Sequence, residues 1–273
     1  MGSALGRVVP HRDLRIRGQT LKAAMIHYHG LPITPATAAV KAISGGHAFV
    51  SYAHPDQLTI ALEVSQSFAL DNGAFSAWRS GKPIKDWNEF YDWIAELHRY
   101  PSFDFAVIPD VIDGNEDAND ALIDEWPWKE VAPWVGAPVW HLHESLDRLE
   151  RLMKMFPRIC LGSSGDYAQI GTESWWIRMR EAMNVLCDKH GRPCTKIHGL
   201  RMLNPEVFTK FPFSSADSTN IGRNIGIDKA WKGTYTPPTK EARAMIMRER
   251  IESQQSLTFW NRKNNLIQET LFA

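Results

Sequence analysis

Polar side chains that can do chemistry fall where short apolar runs of this chain end. They are His27, His29, Asp71, Asp110, His141, His143, Ser163, Ser164, His198, Arg201 and Asp217. Taken singly, Asp110 or Asp113 could cap a helix, and Asp71-Asn72-Gly73 could form a turn. Taken together, they describe one polar face. Two carboxylates facing one pocket, Asp71 and Asp217, suit glycosyl chemistry: one attacks an anomeric carbon and the other moves a proton. A metal-dependent hydrolase is the rival reading. His27-x-His29 and His141-x-His143 place alternate residues on one side of a strand, where either pair could chelate with His198 and Asp217.

These residues need elements to position them. β-rich apolar runs at 24–28, 47–52, 67–70, 105–108, 139–142, 158–161, 196–200 and 213–216 alternate with amphipathic stretches at 34–44, 56–64, 87–99, 146–156, 175–189, 205–210 and 239–253. Thr34 and Pro35 give the first helix a start signal. Strands separated by helices must run parallel, and eight such units close into a (β/α)₈ TIM barrel of the α/β class. The alternative, an open doubly wound sheet, lacks a Gly-rich dinucleotide fingerprint after any early strand. Barrel strand C-termini converge, which brings the polar residues to one mouth.

The chain has 273 residues, suiting a single barrel domain over 1–273. Residues 1–22 read as a basic arm with Arg7, His11, Arg12, Arg15 and Arg17. Residues 222–238 read as a long loop over the mouth, and 239–273 as a closing helix and tail. Lys+Arg and Asp+Glu are both 31, so a globally basic nucleic-acid binder is not indicated, although a local basic face is compatible. Three cysteines without a paired framework point to a reducing, cytoplasmic compartment, and no run is long and apolar enough for a membrane span. The spacing Cys187-x₂-His190-x₃-Cys194-x₃-His198 is irregular for a zinc module.

The motifs resemble a known set. Asp71-Asn72-Gly73-Ala74-Phe75-Ser76 resembles the Asp-Ser-Gly-Gly-Phe/Tyr-Gln motif of tRNA-guanine transglycosylases. Val107-Ile108-Pro109-Asp110, Leu161-Gly162-Ser163-Ser164-Gly165, Ile197-His198-Gly199-Leu200 and Ala216-Asp217-Ser218-Thr219-Asn220 are similar to that superfamily's later strand ends, in the same order. The resemblance spans roughly residues 24–225. The tRNA enzymes carry a zinc site after the nucleophile, but no cysteine follows Cys194 here. This shorter, zinc-free version looks most like the phage-encoded DNA 7-deazaguanine transglycosylases.

The resemblance implies an enzyme of the bacterial cytoplasm without metal or cofactor. It would exchange guanine in DNA for a free 7-deazaguanine base, with tRNA the less favoured substrate. Asp217 would attack the deoxyribose C1′, and Asp71 would act as general acid and base. Phe75 would stack on the base. Asp110, His143, Gly162, Ser163 and His198 would contact it, with His143 where the family has a base-reading glutamine. Phosphates need cations at the mouth, for which Arg201, Arg223, Lys229 and Lys232 are candidates. A base inside a duplex is unreachable, so it must be flipped or single-stranded.

Overall fold

The computed structural model describes residues 24–226, 231 and 235–262, together with the strand pair Arg15–Ile16 and Gln19–Thr20. The remainder of the N-terminal arm, Lys229, Lys232 and the tail from 263 lie outside the described residues.

Nine strand segments build one sheet. They are β1 (Ile26–Gly30), β2 (His47–Ser51), β3 (Ser67–Asp71), β4 (Phe103–Val107), β5 (Gly136–Ala137), β6 (Val139–His141), β7 (Arg158–Gly162), β8 (Lys196–Gly199) and β9 (Ser215–Ser218). All pairings in this sheet are parallel, in the order β5-β4-β3-β2-β1-β9-β8-β7-β6. Only Pro138 separates β5 from β6. Proline has no N–H for a ladder, but its carbonyl accepts from the Cys160 N–H at 2.9 Å. β5 pairs with β4 and β6 pairs with β7, so the two halves act as one fifth strand. The sheet thereby closes as an eight-stranded α/β barrel.

The helices are α1 (Ala36–Ile43), α2 (Leu58–Val64), α3 (Ala74–Arg79), α4 (Asn88–Leu97), α5 (Glu116–Asp124), α6 (Leu146–Met155), α7 (Glu173–Leu186), α8 (Pro205–Phe208), α9 (Asn220–Asn224) and α10 (Lys240–Glu252). Side-chain caps start several of them. Asn115 accepts from Ala118 N–H, Ser145 from Arg148, Thr172 from Trp175 and Thr239 from Ala242. Two expectations change. Pro35 itself stands at the N-cap of α1, so Thr34 does not cap it. The stretch 222–238 is not loop from its start, because α9 carries helix through Asn224.

There are two apolar layers. One lies between the sheet and the helices. The other fills the barrel with Tyr28, Phe49, Ala69, Phe105, Val107, Ala137, Val139 and Cys160. Since Tyr28 points inward, its neighbours His27 and His29 point outward. His27 Nε2 meets the Gln254 carbonyl at 3.0 Å, and His29 Nε2 meets Glu252 on α10 at 3.1 Å.

The barrel floor is polar. The β3–β4 register shifts between Phe68 and Leu70, leaving one extra residue on β4. That bulge lets Asp104 reach inward beside Phe105. Asp104 accepts from Tyr28 Oη at 2.6 Å and from both terminal nitrogens of Arg158, at 2.7 and 2.9 Å. The Arg158 guanidinium also lies 4.0 Å over the Phe105 ring. Burial pushes the Asp104 carboxyl up, but the Arg158 charge and these hydrogen bonds outweigh it and hold the group below its usual range.

Candidate active site

Asp71 ends β3, and the chain must turn at once to lay α3 over the mouth. Gly73 makes that turn with φ 77°, and a Cβ there would stand 2.9 Å from the Ala53 backbone nitrogen. Asp71 Oδ2 accepts from Ser51 Oγ at 2.8 Å and from the Gly73 N–H at 3.2 Å. Burial pushes its carboxyl up to about 7; the Ser51 bond opposes this, and the Asp217 and Asp110 charges add to it. Asn72 is buried and ties two strand ends together, donating to the Ile108 carbonyl at 2.8 Å and to Asp110 Oδ1 at 2.7 Å.

Asp110 follows β4. Its Oδ2 lies 2.9 Å from His141 Nε2 at the end of β6, within ion-pair distance but off hydrogen-bond alignment. Both residues are buried, and neither His141 ring nitrogen makes an aligned hydrogen bond. Glu144 holds the His141 backbone: its Oε2 accepts the His141 N–H at 2.8 Å and Arg148 Nη1 at 2.7 Å. Asn119 on α5 donates to the other Glu144 oxygen at 2.9 Å. Gly162 faces this pair because a side chain there would come within 3.0 Å of Val139 Cγ1 and 3.2 Å of His141 Nδ1.

Asp217 sits in β9 and is buried. Its Oδ1 accepts the Arg201 backbone N–H at 2.8 Å, and His198 Nε2 approaches the same atom at 3.3 Å. His198 Nδ1 bonds Ser215 Oγ at 2.8 Å, and its ring stacks on Phe49. Burial lowers the His198 pKa, so the ring is neutral and props the carboxylate from below. Asp217 Oδ2 has no hydrogen bond among the described residues. Arg201 aims its amide at Asp217 from a left-handed backbone, φ 60°, a conformation costing about 1–2 kcal/mol outside glycine.

These groups open into one cavity of about 600 Å³, a volume suited to a small-molecule or flipped-base site. Asp71, Asp110, Asp217, Phe75, Gly162, Ser163, Arg201 and Arg223 all line it. His141 lines it too, whereas His143 is exposed beside it, bonding Ser164 Oγ at 2.8 Å and the Gly114 carbonyl at 3.1 Å. His198 lies beneath the floor and is not among the lining residues. Sequence reasoning missed Ser51, His54, Arg79 and Thr219, which also line the cavity. Ser51 at least carried a signal, being the last residue of its strand.

The metal-hydrolase arrangement loses its first pair, because His27 and His29 face outward, to Gln254 just past α10 and to Glu252 on it, instead of the mouth. Among the described residues, no three His, Cys, Asp or Glu side chains are placed to hold a metal ion. Cys187 and Cys194 stand apart from His198, which is inside the barrel. No described helix is long and apolar enough to cross a membrane. No protein-family model matches the chain, and no curated protein is similar to it.

Proposed function

We propose that this chain is a base-exchange transglycosylase that replaces guanine in DNA with a free 7-deazaguanine derivative. The observation that carries this reading is the inequality of the carboxylates around one aromatic-walled cavity. Asp71 holds a proton to about pH 7, Asp110 is anchored by Asn72, and Asp217 keeps one oxygen unengaged. A carboxyl that keeps its proton, beside one with a free oxygen, suits a division into acid and nucleophile.

In this scheme a flipped guanosine enters with its base against Phe75. Asp217 Oδ2 attacks C1′ as the C1′–N9 bond breaks, and the bonding pair departs with guanine. Asp71 gives its proton to the departing base, and an Asp217–deoxyribose ester remains. Guanine leaves and a 7-deazaguanine enters. Ionised Asp71 takes the incoming N9 proton, N9 attacks C1′, and the ester bond returns its electrons to Asp217. Protons and charges balance over the cycle, and Asp71 ends protonated. Asp110 accepts from the base N1–H and exocyclic amine, with His141 beside it in the cavity wall. Unstacking costs a few kcal/mol, which aromatic stacking of about 1–3 kcal/mol per base offsets. Arg79, Arg201 and Arg223 supply mouth cations for phosphates, with Lys229 and Lys232 close by in the chain.

The test is incubation with guanine-containing DNA and a 7-deazaguanine, read by denaturing gel for the covalent adduct and by nucleoside mass spectrometry for exchange. The expected result is an adduct that Asp217→Asn abolishes. Absence of exchange on both DNA and tRNA overturns the reading. Exchange on tRNA alone keeps the chemistry and removes DNA as substrate.

A further inference from the structure

Arg201 does more than present its amide. Its guanidinium lies 4.2 Å over the Phe75 ring, and one terminal nitrogen donates to the Ser163 carbonyl at 2.7 Å. Phe75 and Ser163 both line the cavity, so the side chain bridges it from one wall to the other. A guanidinium is planar, stacks on aromatic faces and presents N–H donors in its plane. Those are also the properties of a guanine edge. Arg201 is the one described non-glycine residue with a positive φ. Its backbone is fixed by Asp217, so only the side chain is free to move.

We infer that Arg201 is a stand-in for the purine: its guanidinium fills the base slot of the free protein and leaves it for a strand phosphate when nucleic acid binds. This deepens the base-exchange reading and rests on it. A free base arriving alone must break the Phe75 stack and the Ser163 bond and brings no anion of its own to receive the displaced cation. A strand brings its own anion, and a guanidinium pairs well with phosphate. The slot therefore opens when the strand is seated, and the incoming base finds it open once guanine has left. Linkage makes the effect reciprocal, so strand and free base raise each other's affinity. Free guanine in solution is correspondingly a poor competitor for the unloaded enzyme.

The experiment measures the dissociation constant of 7-deazaguanine for the wild type, Arg201→Ala and Arg201→Gly, with and without an oligonucleotide carrying an abasic site. Glycine tolerates the left-handed backbone, so the second variant guards against misfolding in the first. The expected result is that both variants bind the free base about two- to thirtyfold more tightly than wild type, the range spanned by a cation–π contact. Both should bind the oligonucleotide more weakly. The oligonucleotide should tighten base binding in wild type and in neither variant. Base affinity that is unchanged or weaker in both variants, with base still bound, overturns the stand-in role alone. Failure of every protein to bind the base, with or without oligonucleotide, overturns the base-exchange reading along with it.

Discussion

At the floor of the barrel Asp104 is clamped by both terminal nitrogens of Arg158 and by the Tyr28 hydroxyl, and its carboxyl is held below the usual range. At the mouth Asp71 is also withdrawn from water, yet it has only the Ser51 hydroxyl and one backbone amide, faces two further aspartates, and is pushed up to about 7. The residue type is the same and the strands are adjacent. What differs is the partner. A carboxylate that already owns a counter-cation contributes to the fold and has little left to offer a substrate. One whose partners are neutral, and whose neighbours share its charge, holds a proton it can surrender. The floor spends its charges on stability and the mouth keeps them for chemistry.

The sharpest way to break this comparison is at the mouth. Asp217→Asn is expected to reduce adduct formation by roughly 10⁴-fold or more, the scale for losing a nucleophile, and to leave the urea midpoint near wild type. At the floor the signs reverse. Arg158→Met takes the counter-cation from half-buried Asp104 and is expected to cost about 1.5–3 kcal/mol of stability by urea unfolding, the scale for a hydrogen bond to a charged group, with exchange per folded molecule near wild type.

Two smaller tests act through pH. Folded Asp71 keeps its proton to about 7, whereas the unfolded group releases it near 3.8. Its contribution to stability is therefore full below 3.8 and is lost as pH rises through about 7. Asp104 runs the other way: its contribution is present above the ordinary carboxylate range and is lost as pH falls through its lowered value. Urea midpoints at pH 5 and 8 should accordingly fall less for Asp71→Asn than for wild type. In the rate of adduct formation, the limb that falls above about pH 7 should move up by about half to one unit in Ser51→Ala, which removes a bond that favours the ionised form. The smallest expected effect is that of His198→Asn, about two- to tenfold in adduct rate, the scale of one polar contact, because it loosens the support of Asp217 without touching substrate.

Much of this was legible in the residues. Each of the eight strands has an apolar β-rich core, and Asp71, Asp110 and Asp217 follow three of them, so barrel geometry alone brings them to one end. The parity of β1 was not legible. A parallel strand is buried on both faces and carries no alternation, so nothing said that Tyr28, not His27 and His29, points inward. The same gap hid the roles of His141 and His143, two residues apart yet one lining the cavity and the other exposed beside it. The helices α3, α5 and α9 are too short, or too acidic, to show a clear apolar period. The Asp104–Arg158 pair joins residues 54 apart through a bulge that no local pattern announces. Arg201 read as an ordinary mouth cation because its left-handed backbone and its contact with Phe75 exist only in the folded chain.

Cys160, whose side chain lies among the aromatic rings inside the barrel, gives the protein an internal clock. No reagent reaches that sulfur until the strands part, and burial also pushes its thiol well up, away from the reactive thiolate. Cys187 is buried as well, and Cys194 is exposed. An alkylating mass tag should therefore add once to the native chain, at Cys194, and three times to the unfolded one. The slow appearance of the third tag, on Cys160, reads out how often the barrel opens, without denaturant and without any knowledge of its substrate.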